Sequence, residues 1–180
     1  NLQRSASLFL VKTLLSIAAA LLFIAAPWQY PFQPIQMTLI SAFTIGIPSF
    51  VLALAPNRES ITGRFLGNVI VRSIPGAVCS VCCILVANVV GYYLMGLDYE
   101  QVSALCVLLT SWIGCNLVVR LSMPFTAIRS ALLVVVVGGI AGTCLLMPNV
   151  FCIAPFTPGM WMLYIIVAAI FAVAFHALDL

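Results

Sequence analysis

Six apolar runs of membrane-spanning length divide this chain, at roughly 5–27, 36–55, 68–96, 103–121, 130–147 and 159–178, and its seven basic residues lie only at alternate ends of them. Arg4 and Lys12 stand at or just inside the start of the first run. Arg58 and Arg64 fall between the second and third with Arg72 just inside the start of the third, and Arg120 stands at the end of the fourth with Arg129 just before the fifth. The connections at 28–35, 97–102 and 148–158 hold no Lys or Arg, and the middle one carries Asp98 and Glu100. Lys and Arg resist translocation and collect in cytoplasmic loops. The alternation therefore predicts six crossings with both termini in the cytoplasm.

Composition points the same way. The chain is 64% hydrophobic and 6% charged, where soluble domains carry roughly 25% charged residues. A helix rises about 1.5 Å per residue, so about 20 residues cross a hydrocarbon core of about 30 Å. The third run is long enough to span with tilt or to emerge on the cytoplasmic side. Backbone polar groups need internal partners in lipid, so the runs should be helices. The alternation of a membrane β-barrel is absent. A soluble helical core would need polar outer faces that these runs lack. The expected fold is all-α and polytopic, one transmembrane domain over 1–180 in a plasma membrane. Small and hydroxyl residues cluster in the first two spans, which predicts that those two are central. The outer four, Val- and Leu-rich at 132–137 and 163–173, should face lipid over much of their surface.

Asn1-Leu2-Gln3-Arg4 precedes an apolar run too long for a signal-peptide core, with no small-residue cleavage site. With no initiator Met, the chain is expected to be a piece of a longer one, beginning within a cytoplasm-facing helix.

Of seven cysteines, Cys79, Cys82, Cys83, Cys106, Cys115 and Cys144 fall inside predicted spans, where a thiol packs as a small hydrophobe. No His or second Cys pair accompanies the first three, which argues against zinc. Cys152, in a loop, is the one open to oxidation. His176 stands alone near the last membrane edge. No nucleophile with its base, no phosphate-cradling Gly loop and no nucleic-acid-binding surface is legible.

The informative chemistry is in the second span, where Thr44-Ile45-Gly46-Ile47-Pro48 interrupts the apolar run. Proline has no N–H and displaces the carbonyl four residues earlier, here that of Thr44. Gly46 loosens the helix further, and Ser41, Thr44 and Ser49 add hydroxyls. Freed groups in lipid need partners, so broken helices occur where they line a polar cavity or an ion site. A simple Pro kink satisfied by a neighbouring hydroxyl is the equally weighted alternative.

Ser7-Leu8-Phe9-Leu10-Val11-Lys12-Thr13 resembles the fifth membrane helix of bacterial cation-transporting P-type ATPases. Pro31-Phe32-Gln33-Pro34-Ile35-Gln36, Thr44-Ile45-Gly46-Ile47-Pro48-Ser49-Phe50 and Leu54-Ala55-Pro56-Asn57 resemble their fifth-to-sixth loop and sixth helix. Gly63-Arg64-Phe65-Leu66 and Arg72-Ser73-Ile74-Pro75 are similar to the entry of the seventh. The resemblance covers the chain as the last six of ten membrane helices, specifically in the first 75 residues and by hydropathy afterwards. It implies cation transport driven by ATP, with magnesium, through a phospho-aspartate. The Asp-Lys-Thr-Gly-Thr motif, the nucleotide domain and the first four helices would have to be partners supplied by the rest of the pump. This chain has no cofactor of its own and cannot hydrolyse ATP alone. Its partners would otherwise be the bilayer and the transported cation.

Calcium pumps of the type II class carry Asn-x-x-Thr-Asp-Gly-x-Pro in the sixth helix. Against that pattern Thr44, Gly46 and Pro48 match, Ser41 keeps an oxygen, and Ile45 replaces the coordinating Asp. No Asp or Glu lies inside any of the six spans. Calcium favours about six to eight oxygens, usually with carboxylates among them, so this half of a pump would offer hydroxyl, amide and carbonyl oxygens alone. The ion is expected to be calcium or another metal cation.

Lys12 lies roughly 10 Å into the membrane by helix rise, if the membrane begins near Ser5. An intramembrane charge costs about 2.5 kcal/mol or more. Either Lys12 is a built-in counter-cation, or its long side chain snorkels to the interface, and the resemblance, which implies a fifth helix prolonged into a cytoplasmic stalk, favours snorkelling. Ser16, and Asn116 with Thr110 and Ser111, are further candidates for the ion path, or else interhelical glue worth about 1 kcal/mol. Two other classes fit the composition: a self-contained six-helix secondary transporter or channel, and a non-catalytic membrane scaffold. The first would be marked by a repeat between 1–90 and 91–180, and the halves do not match.

Overall fold

The computed structural model describes residues 2–54, 65–123 and 126–177, and the side chains of these except 2–4, 65, 66, 68 and 72. Among the described residues, six helices are long and apolar enough to cross a membrane. We label them α1 (Leu2–Ala25), α2 (Pro34–Leu54), α3 (Phe65–Val89, prolonged by a π turn Val90–Leu94), α4 (Tyr99–Leu121), α5 (Ala127–Leu146) and α6 (Pro158–Ala177). Among the described residues there is no strand. Each helix begins within four residues of the sequence expectation, usually earlier, because polar first turns such as Tyr99-Glu100-Gln101 hide from a hydropathy reading.

Two starts are built alike. Pro34 opens α2 at a position where its missing N–H costs nothing. Gln36 Oε1 then accepts from the Gln33 N–H at 2.9 Å, and Gln101 Oε1 takes the Asp98 N–H at 3.2 Å before α4. Each is the returning half of a capping box.

The expectation that the first two spans are central is not met. Buried residues make up 72% of the core of α4 but 22% of that of α1. α4 touches α2, α3, α5 and α6, and α1 packs chiefly on α3. The reason lies in side-chain size. Ser103, Ala104, Cys106, Thr110, Ser111 and Cys115 are buried along α4, and small residues let helices approach closely in lipid. α1 instead turns Phe9, Ile17, Leu21 and Ile24 outward. The expectation that the outer four face lipid holds for α5 and α6, with Val134, Val135, Val137, Ile165, Ile170 and Val173 exposed, and fails for α4, the most buried of the six.

Hydroxyls and one indole tie the bundle together. Ser5 Oγ donates to Ser49 O from α1 to α2, and Ser73 Oγ on α3 lies 3.2 Å from Ser7 O of α1. Trp112 Nε1 donates to Ala168 O of α6 at 3.2 Å. At the face of the loops without Lys or Arg, fully buried Gln36 accepts from Ser103 Oγ and donates to Cys152 O. That bond joins α2 and α4 to the loop before α6, where Cys152 is exposed with φ 51. The cysteines of the spans are buried or half-buried, and no group of His, Cys, Asp or Glu among the described residues could hold a metal. At the opposite face Arg129 is buried and donates to Ser122 O, and Arg120 lies over the Phe175 ring. Arg58, Arg64 and Ser60 lie outside the described residues.

Candidate cation site

The proline in α2 leaves its mark as a widened turn rather than a break. Residues Ala42–Gly46 form a π-helix between two α-helical halves, Pro34–Ser41 and Ile47–Leu54. The Ile47 N–H reaches back five residues to Ala42 O. Pro48 cannot donate to Thr44 O, and a π turn is the local way to carry the extra residue.

Beside that turn lies a cavity of about 30 Å3, lined by Lys12 of α1, Ser41, Thr44 and Ile45 of α2, Ser80 of α3 and Thr110 of α4 among others. That is room for a water or two. Its hydroxyls share a disposition. Ser41 Oγ donates to Met37 O at 2.6 Å, Thr44 Oγ1 to Ile40 O at 2.6 Å and Ser80 Oγ to Gly76 O at 2.8 Å. With the proton committed to the helix, each oxygen keeps lone pairs free to accept. Thr110 Oγ1 is buried with no partner among the described residues. Lys12, half-buried, is the one ionisable side chain lining the cavity.

The turn is seated in notches on two other helices. A Cβ on Gly114 of α4 would stand 2.7 Å from Thr44 Cγ2, and one on Gly139 of α5 would fall inside contact distance of the Phe43 ring. Only a residue without Cβ admits side chains this close.

Of the residues singled out from the sequence, the cavity brings together Lys12, Ser41, Thr44 and Thr110. Gly46 and Pro48 shape the turn without lining the cavity, Gly46 exposed and Pro48 buried. Ser16 is half-buried one turn beyond Lys12, outside the lining. Asn116 is also apart from it, its Nδ2 donating to Trp112 O at 2.9 Å within its own helix. Ser80 and the two glycines escaped the sequence reading, because in an apolar helix a small residue signals close packing without saying against what. The cavity thus sets the hydroxyls of Ser41, Thr44, Ser80 and Thr110 and the Lys12 side chain among mostly apolar neighbours.

No protein-family model matches the chain, and no solved structure matches it. The chain is similar to a probable cation-transporting ATPase, exp7, of Streptococcus pneumoniae serotype 4, at 35% identity over 153 residues, covering 81% of this chain and 20% of that protein. It is also similar to the calcium-transporting ATPase CtpE of Mycobacterium bovis, at 40% identity over 116 residues, covering 57% of this chain and 15% of the relative. CtpE of Mycolicibacterium smegmatis is 36% identical over 102 residues, with 51% and 13% covered. The chain thus spans about one fifth or less of the curated relatives it matches. With six membrane-spanning helices and this likeness, it belongs, as a multi-pass membrane part, to the family of cation-transporting P-type ATPases.

Proposed function

We propose that this chain forms the C-terminal six-helix membrane domain of an ATP-driven cation pump of the plasma membrane, and that the cavity beside the π turn is part of its ion path. The observation that carries the reading is the convergence of Lys12, Ser41, Thr44 and Thr110 on one small cavity at the single π turn inside a span's middle. Three oxygens there already give their protons to helix carbonyls and present lone pairs. A cation entering such a site is met by oxygen and by no carboxylate of this chain. Neutralising carboxylates come from the remaining helices of the pump, and ATP and magnesium act on its cytoplasmic domains. The ion is calcium or another metal cation, in keeping with the names of the relatives.

Lys12 is then a resident counter-cation. Its ammonium repels a bound cation and takes up the oxygens once the cation leaves, so the emptied site stays compensated. Two unit charges about 6 Å apart at an effective dielectric of about 20 repel by about 3 kcal/mol, enough to set affinity. In the pump, Lys12→Met should therefore raise apparent cation affinity in ion-stimulated ATPase assays by about tenfold or more, and Lys12→Arg should change it far less. If neither substitution moves affinity or transported charge, Lys12 is a snorkelling residue and the site loses its counter-ion.

A further inference from the structure

A second cavity, of about 630 Å3, opens between α4, α5 and α6 beneath the loop before α6. We propose that it is a binding site for one acyl chain of a membrane phospholipid.

Position and lining carry the inference. The cavity runs from Leu145, at the loop end of α5, to Val137 at its middle, about 12 Å by helix rise, close to the depth of one leaflet's hydrocarbon. Val137, Leu145 and Trp161 line it and are also exposed on the lipid-facing surface, so the space is continuous with the lipid that surrounds the bundle. Its volume lies within the range of about 300–1,000 Å3 usual for sites that hold a small molecule. The walls are overwhelmingly apolar, and apolar cavities stay dry. In this part of the membrane, the apolar matter at hand is the acyl chain.

The mouth is preformed. Tyr164 packs edge against face with Phe156 and Trp161, which tilt at 56° to each other, all with centroids 5.0 to 6.4 Å apart, and aromatic rings of this kind settle at the headgroup level. Asn149 stands at the same rim, where the ester region of a lipid would lie. At the inner end the Trp112 indole, held by its bond to Ala168 O, fixes α4 against α6. Closing the space would require that bond and the aromatic rim to give way together.

The test uses the protein purified from its membrane and reconstituted in phosphatidylcholine vesicles with a rising fraction of the same lipid brominated midway along its chains. This chain's tryptophans are Trp28, Trp112 and Trp161, so Trp28→Phe with Trp161→Phe, and Phe in place of any tryptophan in the rest of the pump, leaves Trp112 as the reporter. Trp112 fluorescence should fall in proportion to the brominated fraction, as one chain in one site requires. Ala141→Phe, which puts a ring into the cavity, should at least halve that quenching, with Cys144→Leu as the milder filler if the ring prevents folding. A variant with Trp28 alone should be quenched equally with and without the filler. Absence of Trp112 quenching, as when a protein helix occupies the space, overturns the proposal. Quenching that neither filler reduces overturns it as well, because bulk lipid would then be the source.

Discussion

A Cβ on Gly114 would lie 2.7 Å from Thr44 Cγ2, 2.9 Å from its Cβ and 3.3 Å from Oγ1, so this one position meters how near α4 comes to the cation site. Threonine is stiff at χ1, and its hydroxyl is tied to Ile40 O, so it has little freedom to turn away. Gly114→Ala should destabilise the protein by about 1–3 kcal/mol, the usual cost of overpacking. It should also lower apparent cation affinity, because the Thr44 oxygen moves with the side chain. Adding Thr44→Ser removes the nearest methyl and keeps the hydroxyl, so the double variant should recover at least half of each loss. Thermal inactivation and ion-stimulated ATPase, measured together on the three variants, check this. Recovery of neither would mean that Gly114 acts on something other than Thr44.

At the scale of one element, α2 shows a local rule shaping how helices pack. Proline inside a helix costs about 3 kcal/mol or more, and here the expense is a π turn whose residues 43 and 44 fit glycine notches on two neighbours. Pro48→Ala restores an N–H for Thr44 O and should let a regular α-helix form through the region. Stability should rise or hold, while ion-stimulated ATPase activity falls more than protein abundance does. Equal loss of both would assign Pro48 to folding alone. The other end of α2 is pinned by Gln36, whose amide joins Gln33, Ser103 and Cys152. The break is thus held between a fixed entrance and a packed middle.

For the whole molecule, the even number of crossings puts the ends of α4 and α6 and the starts of α1, α3 and α5 on one face. We take that face as cytoplasmic, from the basic residues gathered there. In intact cells a membrane-impermeant maleimide should then label exposed Cys152 and leave a cysteine introduced at Ser60 unmodified. Labelling of both from outside would refute that orientation.

Much of this protein was legible one residue at a time. Hydropathy marked six spans to within a few residues, since burial in lipid is a property of each run by itself. Proline at position 48 announced the disturbance in α2, since a missing N–H acts on a carbonyl four residues away. The small and hydroxyl residues of α4 were equally visible, yet small side chains permit contact without naming a partner, and the first two spans took the centre in the sequence reading. Only the packing of four helices decided that Lys12, Ser41, Thr44, Ser80 and Thr110 share one cavity while Asn116 and Ser16 stand outside it. Local chemistry is written along the chain. Convergence of residues as much as 98 positions apart, as Lys12 and Thr110 are, depends on helix rotation and approach, which the tertiary structure alone sets.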